Sequence, residues 1–380
     1  MPTFYDQFVE AEQRGPQHIA LEIQRKDQVE SYTYAQARKM SESVGRWLTE
    51  KKLPAGARVA LFADNHPRWV AAYLGAIAAG YTAVPLDTAF HADQVTKLLK
   101  DSGASLLVTD VKHLATARQA VEGLNVQLVL TDPSSLKSAT GKEDKQPQSS
   151  WVGDLDAIFA AGPGNFRPVE APADTVAALL YTSGTTADPK GVQLTHANML
   201  GEVNAVFGLL QIGPTDAVLG ILPMFHVLAQ MANLMLPLVK GARVVYLETL
   251  NTTELLRALQ ERQITAFAVV PQFFYLIHVR RRRAPGGRRG RLHHLPHPLP
   301  RKFVGSARKK KIGRTSPSRE HRAPFPEITL QRLLCRFPQR HDPLLVSLTA
   351  NQHVSGLQFQ IFKFCLNNFR YPQRRRVEDL

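Results

Sequence analysis

The most informative stretch of this sequence is Val176-Ala-Ala-Leu-Leu-Tyr-Thr-Ser-Gly-Thr-Thr-Ala-Asp-Pro-Lys-Gly191. Its first six residues are an apolar run, which is typical of a buried strand. The rest is a loop of hydroxyl residues and glycine that ends on Lys-Gly. A polar loop directly after a buried strand is where α/β proteins commonly bind ligands. The stretch therefore indicates an α/β fold with a ligand site at residues 182–191.

Strand and helix patterns alternate on both sides of this stretch. The expected strands are 58–62, 83–86, 105–109, 126–130, 217–222, 243–246 and 266–270. The expected helices are 31–48, 68–79, 95–102, 114–124, 224–239 and 252–262, and Thr195 is the expected cap of a helix that begins at His196. This alternation predicts parallel sheets covered by helices.

The charge of the chain is divided very unevenly. Residues 1–278 contain 23 Lys and Arg against 27 Asp and Glu, a net charge of −4, whereas residues 279–380 contain 24 against 5, a net charge of +19. Periodicity is also lost from Val279 onward, in the middle of an expected helix. The basic charge of the chain therefore says nothing about the partners of residues 1–278.

The loop after residue 181 has the chemistry of a phosphate site. Its hydroxyls and the backbone amides around Gly184 can surround phosphate oxygens, and Lys190 adds a mobile positive charge. It is not a Walker loop, because five residues separate Gly184 from Lys190 and glycine follows the lysine. A flexible polar linker is the alternative interpretation.

Residues 180–192, followed by Thr195-His-Ala-Asn198, resemble the AMP-binding signature of the adenylate-forming enzymes, and most closely their acyl-CoA synthetase branch. Similar segments occur in the family's order at Asn65-His-Pro-Arg-Trp69, Leu222-Pro-Met-Phe-His226 and Val269-Val-Pro271. The resemblance covers about residues 1–278. One departure lies within the signature, where Ala187 replaces the usual glycine.

The resemblance implies a fold, a reaction and a set of site residues. The fold is the first part of the family's large domain over residues 1–278, followed by an irregular basic tail over 279–380. The reaction is ATP-dependent activation of a carboxylic acid, which we expect to be a fatty acid, to its coenzyme A thioester, with Mg²⁺ accompanying ATP. The expected phosphate-binding residues are Thr182, Ser183, Gly184, Thr185, Thr186, Lys190 and Gly191. Lys190 and His226 are the expected catalytic residues, and no metal ligand is assigned.

His226 has two interpretations. A histidine in an apolar stretch is, taken alone, more often a packed core residue. The family context instead implies that it orients the carboxylate or controls the approach of the thiol.

The family's later elements are missing from residues 279–380. Neither Tyr-Gly-x-Thr-Glu, which holds adenine and magnesium, nor Thr-Gly-Asp, which holds ribose, occurs there. We therefore expect turnover to be weak or absent, and we interpret the tail as the product of a shifted reading frame. Alternatives are a disordered linker, a non-catalytic nucleotide-binding remnant, and a basic nucleic-acid-binding arm, although we expect no specific nucleic acid.

The remaining composition favours a cytoplasmic location. The two cysteines, Cys335 and Cys365, lie in the tail, and the amino terminus lacks the pattern of a secretory signal. Two charge-free stretches, 69–86 and 217–239, contain Pro and polar residues and are expected to be buried in protein rather than in lipid. Peripheral contact of the protein with a membrane surface is an alternative that the sequence leaves.

Overall fold

The structure is a computed structural model that describes residues 2–132, 153–182, 190–207, 212–269, 346–349 and 360–363. The strands are β1 (Ile19–Gln24), β2 (Val29–Thr33), β3 (Arg58–Phe62), β4 (Thr82–Pro85), β5 (Ala104–Thr109), β6 (Gln127–Leu130), β7 (Gly153–Asp154), β8 (Val176–Thr182), β9 (Lys190–Thr195), β10 (Ala217–Leu219), β11 (Arg243–Leu247), β12 (Ala266–Val269), β13 (Val346–Thr349) and β14 (Gln360–Lys363). The helices are α1 (Phe4–Arg14), α2 (Tyr34–Glu50), α3 (Pro67–Ala78), α4 (Ala92–Ser102), α5 (Leu114–Val121), α6 (Leu155–Ala161), α7 (His196–Phe207), α8 (Val227–Gln230), α9 (Leu236–Val239) and α10 (Thr252–Glu261).

The strands form two sheets. Sheet I has the order β7-β6-β5-β3-β4-β8-β9, and all its neighbouring strands are parallel except the antiparallel pair β8–β9. Sheet II has the order β13-β14-β12-β10-β11-β1-β2, with a parallel centre of β12, β10, β11 and β1. The expected α/β fold of parallel sheets with helices is confirmed.

Helix α3 lies at the centre of the hydrophobic core. Eleven of its residues are buried, including the stacked pair Trp69 and Tyr73. Its Gly75 packs so closely on α2 that an added Cβ would lie 2.6 Å from the Ser41 carbonyl oxygen and 2.6 Å from Val44 Cβ. Pro67 begins the helix, and Gly80, with a φ of +75°, turns the chain into β4.

The expected helix over 31–48 is wrong at its start, since residues 31–33 belong to β2. Helix α2 begins only after Thr33, whose hydroxyl accepts a bond from the Gln36 backbone N–H at 3.2 Å while its own N–H bonds Gln36 Oε1 at 2.8 Å. This reciprocal cap fixes the boundary. Thr195 caps α7 in the same way with Asn198, as the sequence predicts.

The expected helix over 224–239 begins later and is interrupted. It starts at Val227 and contains a π-helical segment, Met231–Met235, between α8 and α9. Pro237 has no N–H to donate to the carbonyl of Asn233 four residues earlier. The Tyr246 hydroxyl donates to that carbonyl instead, at 2.8 Å.

Two short strands occur within residues 279–380. Strand β14 pairs antiparallel with β12 and with β13, so the two strands extend sheet II beyond β12. Neither strand was expected from the sequence. Among the described residues, no helix is both long and apolar enough to cross a lipid bilayer.

Candidate functional site

The candidate phosphate loop is carried by a β-hairpin at the edge of sheet I. Strand β8 runs parallel to β4, and β9 returns antiparallel to β8. Their register places Thr182 opposite Lys190 and Tyr181 opposite Gly191. The hairpin therefore brings Thr182, Lys190 and Gly191 together at the carboxyl end of β8. The side chains of Thr182 and Lys190 are both exposed.

Gly191 allows a close approach between the two hairpin strands. A Cβ built at this position would lie 3.0 Å from Leu179 Cδ1 and 3.5 Å from Tyr181 Cε1. Tyr181 is itself fixed, because its hydroxyl donates to Asp101 Oδ2 at 2.6 Å. Burial raises the pKa of Tyr181, and the neighbouring Asp101 carboxylate raises it further. The base of the loop is thus held by packing and by one charge-assisted hydrogen bond.

His226 lies at the carboxyl end of a strand in the other sheet. It follows β10 and is the N-cap residue of α8. Its side chain is exposed, and its ring lies against Phe225 with ring centroids 4.3 Å apart. The expectation that His226 belongs to a site is therefore compatible with its position, whereas the alternative of a packed core histidine does not match its exposure.

The charge state of His226 is set by two opposing effects. Partial burial of the ring lowers its pKa, and the negative charge of Asp87 raises it by a smaller amount. The net effect favours a neutral imidazole at neutral pH. A neutral imidazole can both donate and accept a hydrogen bond, and it can accept a proton from an acid or a thiol.

The carboxyl edges of the two sheets meet beside His226. Asn65, which follows β3 of sheet I, bonds the backbone of residues 220–224, which follow β10 of sheet II. Because β3, β4 and β8 are parallel, the hairpin loop leaves from the same edge of sheet I as Asn65. The family segments around Asn65 and His226 are therefore in direct contact, which sequence order alone does not reveal.

One set of described side chains has the composition of metal ligands. Ligand atoms of Asp64, Asp110 and His113 lie within 4.8 Å of one another. Both carboxylates already have side-chain partners, since Lys112 Nζ lies 2.7 Å from Asp64 Oδ2 and His113 Nδ1 lies 2.7 Å from Asp110 Oδ1. Burial acts to raise the pKa of Asp110, but His113 and two backbone N–H donors lower it overall. We assign no metal to it.

A cleft of about 230 Å³ lies at the opposite edge of sheet I. Its lining includes Arg58, Thr82 and Val176, which are the first residues of β3, β4 and β8. Ligands of parallel α/β sheets bind at the carboxyl ends of strands, so this cleft is not the expected site.

The described residues include only some of those predicted for the site. Thr182, Lys190 and Gly191 share one hairpin, and His226 lies on the other sheet. Ser183, Gly184, Thr185, Thr186 and Ala187 lie outside the described residues, so their expected roles stay predictions. The bonds of Asn65 were missed, because its partners are 155 to 159 residues away in the chain.

A family model for AMP-binding enzymes matches residues 8–330. The chain belongs to this family. The match includes the hairpin, the segment that ends on His226 and the helices between them, and it continues past residue 278. The resemblance seen in the signature is therefore confirmed.

Curated relatives of the chain are ligases of several acids. A probable CoA ligase of Humulus lupulus is 29% identical over 212 residues, which are 56% of this chain and 38% of that protein. The L-proline–[L-prolyl-carrier protein] ligase of Streptomyces coelicolor is 30% identical over 64% of this chain and 45% of its own length. The long-chain-fatty-acid–CoA ligase 1 of Cavia porcellus is 28% identical over 71% of this chain and 40% of its own. The chain thus spans less than half the length of these relatives.

Solved structures show the same fold. The N-terminal domain of FACL13 from Mycobacterium tuberculosis matches with a TM-score of 0.60 and 22% identity, over 75% of this chain and 66% of that chain. ATP-bound MatB from Rhodopseudomonas palustris matches with a TM-score of 0.56 and 22% identity, over 68% of this chain and 48% of that chain. The two-sheet architecture of this chain is therefore the fold that these solved structures have.

Proposed function

We propose that this chain contributes the ATP-binding part of an acid–thiol ligase. A carboxylate oxygen of the acid attacks the α-phosphorus of magnesium-bound ATP, and the bond to pyrophosphate breaks. The sulfur of coenzyme A then attacks the acyl carbonyl of the acyl-adenylate, and AMP leaves. The thiol proton passes to a base or to water. The first step brings together two anions, so the site must offset negative charge.

The observation that carries this proposal is the geometry of the β8–β9 hairpin. The register of Thr182 opposite Lys190 fixes both ends of the signature loop at the carboxyl edge of a parallel sheet. An exposed hydroxyl and an exposed ammonium at that point suit phosphate oxygens. We assign Thr182, Lys190 and Gly191, with Ser183, Gly184, Thr185 and Thr186 between them, to the β- and γ-phosphates.

His226 is assigned to the acyl side of the reaction. Its neutral ring lies after β10, on the segment that Asn65 joins to sheet I. A neutral imidazole can orient the carboxylate by donating a hydrogen bond and can accept the thiol proton in the second step. Accepting the thiol proton requires an unprotonated ring, which the lowered pKa of His226 favours, whereas orienting a carboxylate requires only an N–H donor.

We further propose a fatty acid as the substrate. The relative that covers the largest share of this chain among those described above is a long-chain-fatty-acid–CoA ligase. Relatives named for 4-coumarate and for L-proline define the competing substrate classes. The discriminating test is pyrophosphate release with dodecanoate, 4-coumarate and L-proline, each with coenzyme A.

The level of activity is part of the proposal. Because Tyr-Gly-x-Thr-Glu and Thr-Gly-Asp do not occur in residues 279–380, we expect ATP to bind while pyrophosphate release is slow. Release stimulated by dodecanoate, and by neither other acid, supports a fatty-acid ligase. ATP binding without acid-dependent release supports a non-catalytic nucleotide-binding protein, and stimulation by L-proline or 4-coumarate alone contradicts the fatty acid.

The origin of the basic tail is tested separately. We propose that the reading frame shifts near codon 279, because the charge and the periodicity change there together, in the middle of an expected helix. Resequencing of codons 270–290 and the intact mass of the cellular protein test this. A genuine frame with a mass of 42.3 kDa contradicts the shift.

A further inference from the structure

Asn65 forms an unusual set of hydrogen bonds for a residue next to a helix start. Its Nδ2 donates to the carbonyl oxygens of Leu222 at 2.7 Å and of Gly220 at 3.2 Å, and its Oδ1 accepts from the Met224 N–H at 3.0 Å. All three bonds reach the segment that leads to His226. One carboxamide thus binds three backbone groups of the other sheet's β10–α8 connection.

The side chain of Asn65 does not cap the helix that follows it. Asparagine is one of the preferred N-cap residues of helices. Here the cap of α3 is His66, whose Nδ1 accepts from the Arg68 backbone N–H at 3.0 Å. Asn65 is therefore free to bind at long range, and the local helix does not account for its bonds.

The rest of the connection is held by side chains of helices α8 and α3. Gln230 Nε2 donates to the Met224 carbonyl at 2.9 Å, and Gln230 Oε1 accepts from the hydroxyl of Tyr73 at 2.9 Å. The His226 N–H donates to the Pro223 carbonyl at 3.2 Å. Gln230 is fully buried, whereas His226 is exposed. Buried side chains therefore hold the backbone segment that carries the exposed imidazole of His226.

We propose that Asn65 is a positioning residue for His226, and that its carboxamide determines the position of the imidazole relative to the carboxyl edge of sheet I. The catalytic meaning of this role rests on the proposed function of His226. We call the three bonds from the Asn65 carboxamide to residues 220–224 the Asn65 clamp. The clamp does not rest on that function, because it concerns only which group holds these residues. Removing the carboxamide frees three backbone groups and lets the segment move away from β3.

The test follows the His226 ring by NMR in the full chain, with its signal identified by its loss in His226→Gln. Asn65→Ala removes the clamp, and Asn65→Asp replaces the donor by a carboxylate that faces two carbonyl oxygens. Asn251→Ala is the matched control, since Asn251 Oδ1 accepts from the Glu254 N–H at the cap of α10 and is not bonded to this segment. Both Asn65 variants should raise the pKa of His226 toward its usual value, while the control leaves it unchanged.

A second measurement needs no variant. The Met224 amide should exchange with deuterium as slowly as core amides, because its N–H is bound to Asn65 Oδ1. Fast exchange at Met224, or an unchanged His226 titration in both Asn65 variants, overturns the clamp.

Turnover separates the two proposals. A fall in kcat of about tenfold or more in Asn65→Ala, with an unchanged KM for ATP, is expected from a misplaced group. If the Asn65 variants shift the His226 titration but His226→Ala keeps wild-type pyrophosphate release, the clamp stands and the proposed role of His226 fails.

Discussion

The stability of the protein should depend on pH through His66 at the start of α3. The Nδ1 atom of His66 accepts a hydrogen bond from Arg68, so it carries no proton in the folded protein. Burial, together with the positive charges of Arg68 and Arg25, lowers the pKa of His66 from 6.5 to about 4. Protonation would remove the cap of a helix that is almost entirely buried.

The direction and size of the effect follow from proton binding. Below pH 6.5 the unfolded chain binds a proton at His66 that the folded chain binds only near pH 4, so stability falls as the pH drops through this window. The shift in the pKa of His66 corresponds to a change of about 3 kcal/mol in total in the free energy of unfolding. Between pH 7 and pH 5 the expected loss from His66 alone is about 2 kcal/mol.

The assay is urea unfolding followed by circular dichroism at pH 7 and pH 5, with His66→Asn as the comparison. Asparagine keeps an acceptor for the Arg68 N–H but does not titrate. Between pH 7 and pH 5, the free energy of unfolding should fall by about 2 kcal/mol more in the wild-type protein than in the variant. Because His196 and His226 also have lowered pKa values and are present in both proteins, their effects cancel in the comparison. Equal losses in the two proteins refute the reasoning.

Two further predictions concern packing and the π-helical segment, and both use urea midpoints. Gly75→Ala should destabilise the protein by about 1–3 kcal/mol, because the added Cβ would overlap Ser41 and Val44. The control is Gly201→Ala in α7, whose added Cβ meets open space and should leave stability unchanged or raise it. A Gly75→Ala midpoint at or above that of the wild type contradicts the close packing. Tyr246→Phe should lower the free energy of unfolding by about 1–3 kcal/mol, because it leaves the Asn233 carbonyl without its hydroxyl donor. Equal stability of the variant and the wild type would contradict a stabilising role for this bond.

Elements with strong local signals could be predicted from the sequence. Strand β3 matches its expected bounds, because a continuous apolar run lies between the turn at Gly56 and Asp64-Asn-His-Pro67. The cap at Thr195 was also predicted, because its hydroxyl acts on a residue three positions away. Local chemistry is enough where the bonding partners are close in the chain.

Elements that depend on distant partners could not be predicted. Strand β2 has an intermediate burial pattern and merges with the helical pattern after it, so its pairing with β1 was missed. The Asn233 carbonyl in the π-helical segment is bound by the distant Tyr246 hydroxyl, and Asn65 after β3 bonds the segment that follows β10. Of the candidate site, residue types and order were readable from the signature, whereas the Thr182–Lys190 register and the support of His226 required the tertiary structure.

The most direct test of the central claim is calorimetric titration of magnesium-bound ATP into the full chain and into Lys190→Ala. Lys100→Ala is the matched control, because Lys100 is an exposed lysine in the last turn of α4. A charged hydrogen bond to phosphate contributes about 1.5–3 kcal/mol, so Lys190→Ala should weaken binding about tenfold or more, while Lys100→Ala binds like the wild type. Equal affinity in the Lys190→Ala and wild-type proteins, or no binding to the wild type, contradicts an ATP site at the β8–β9 hairpin.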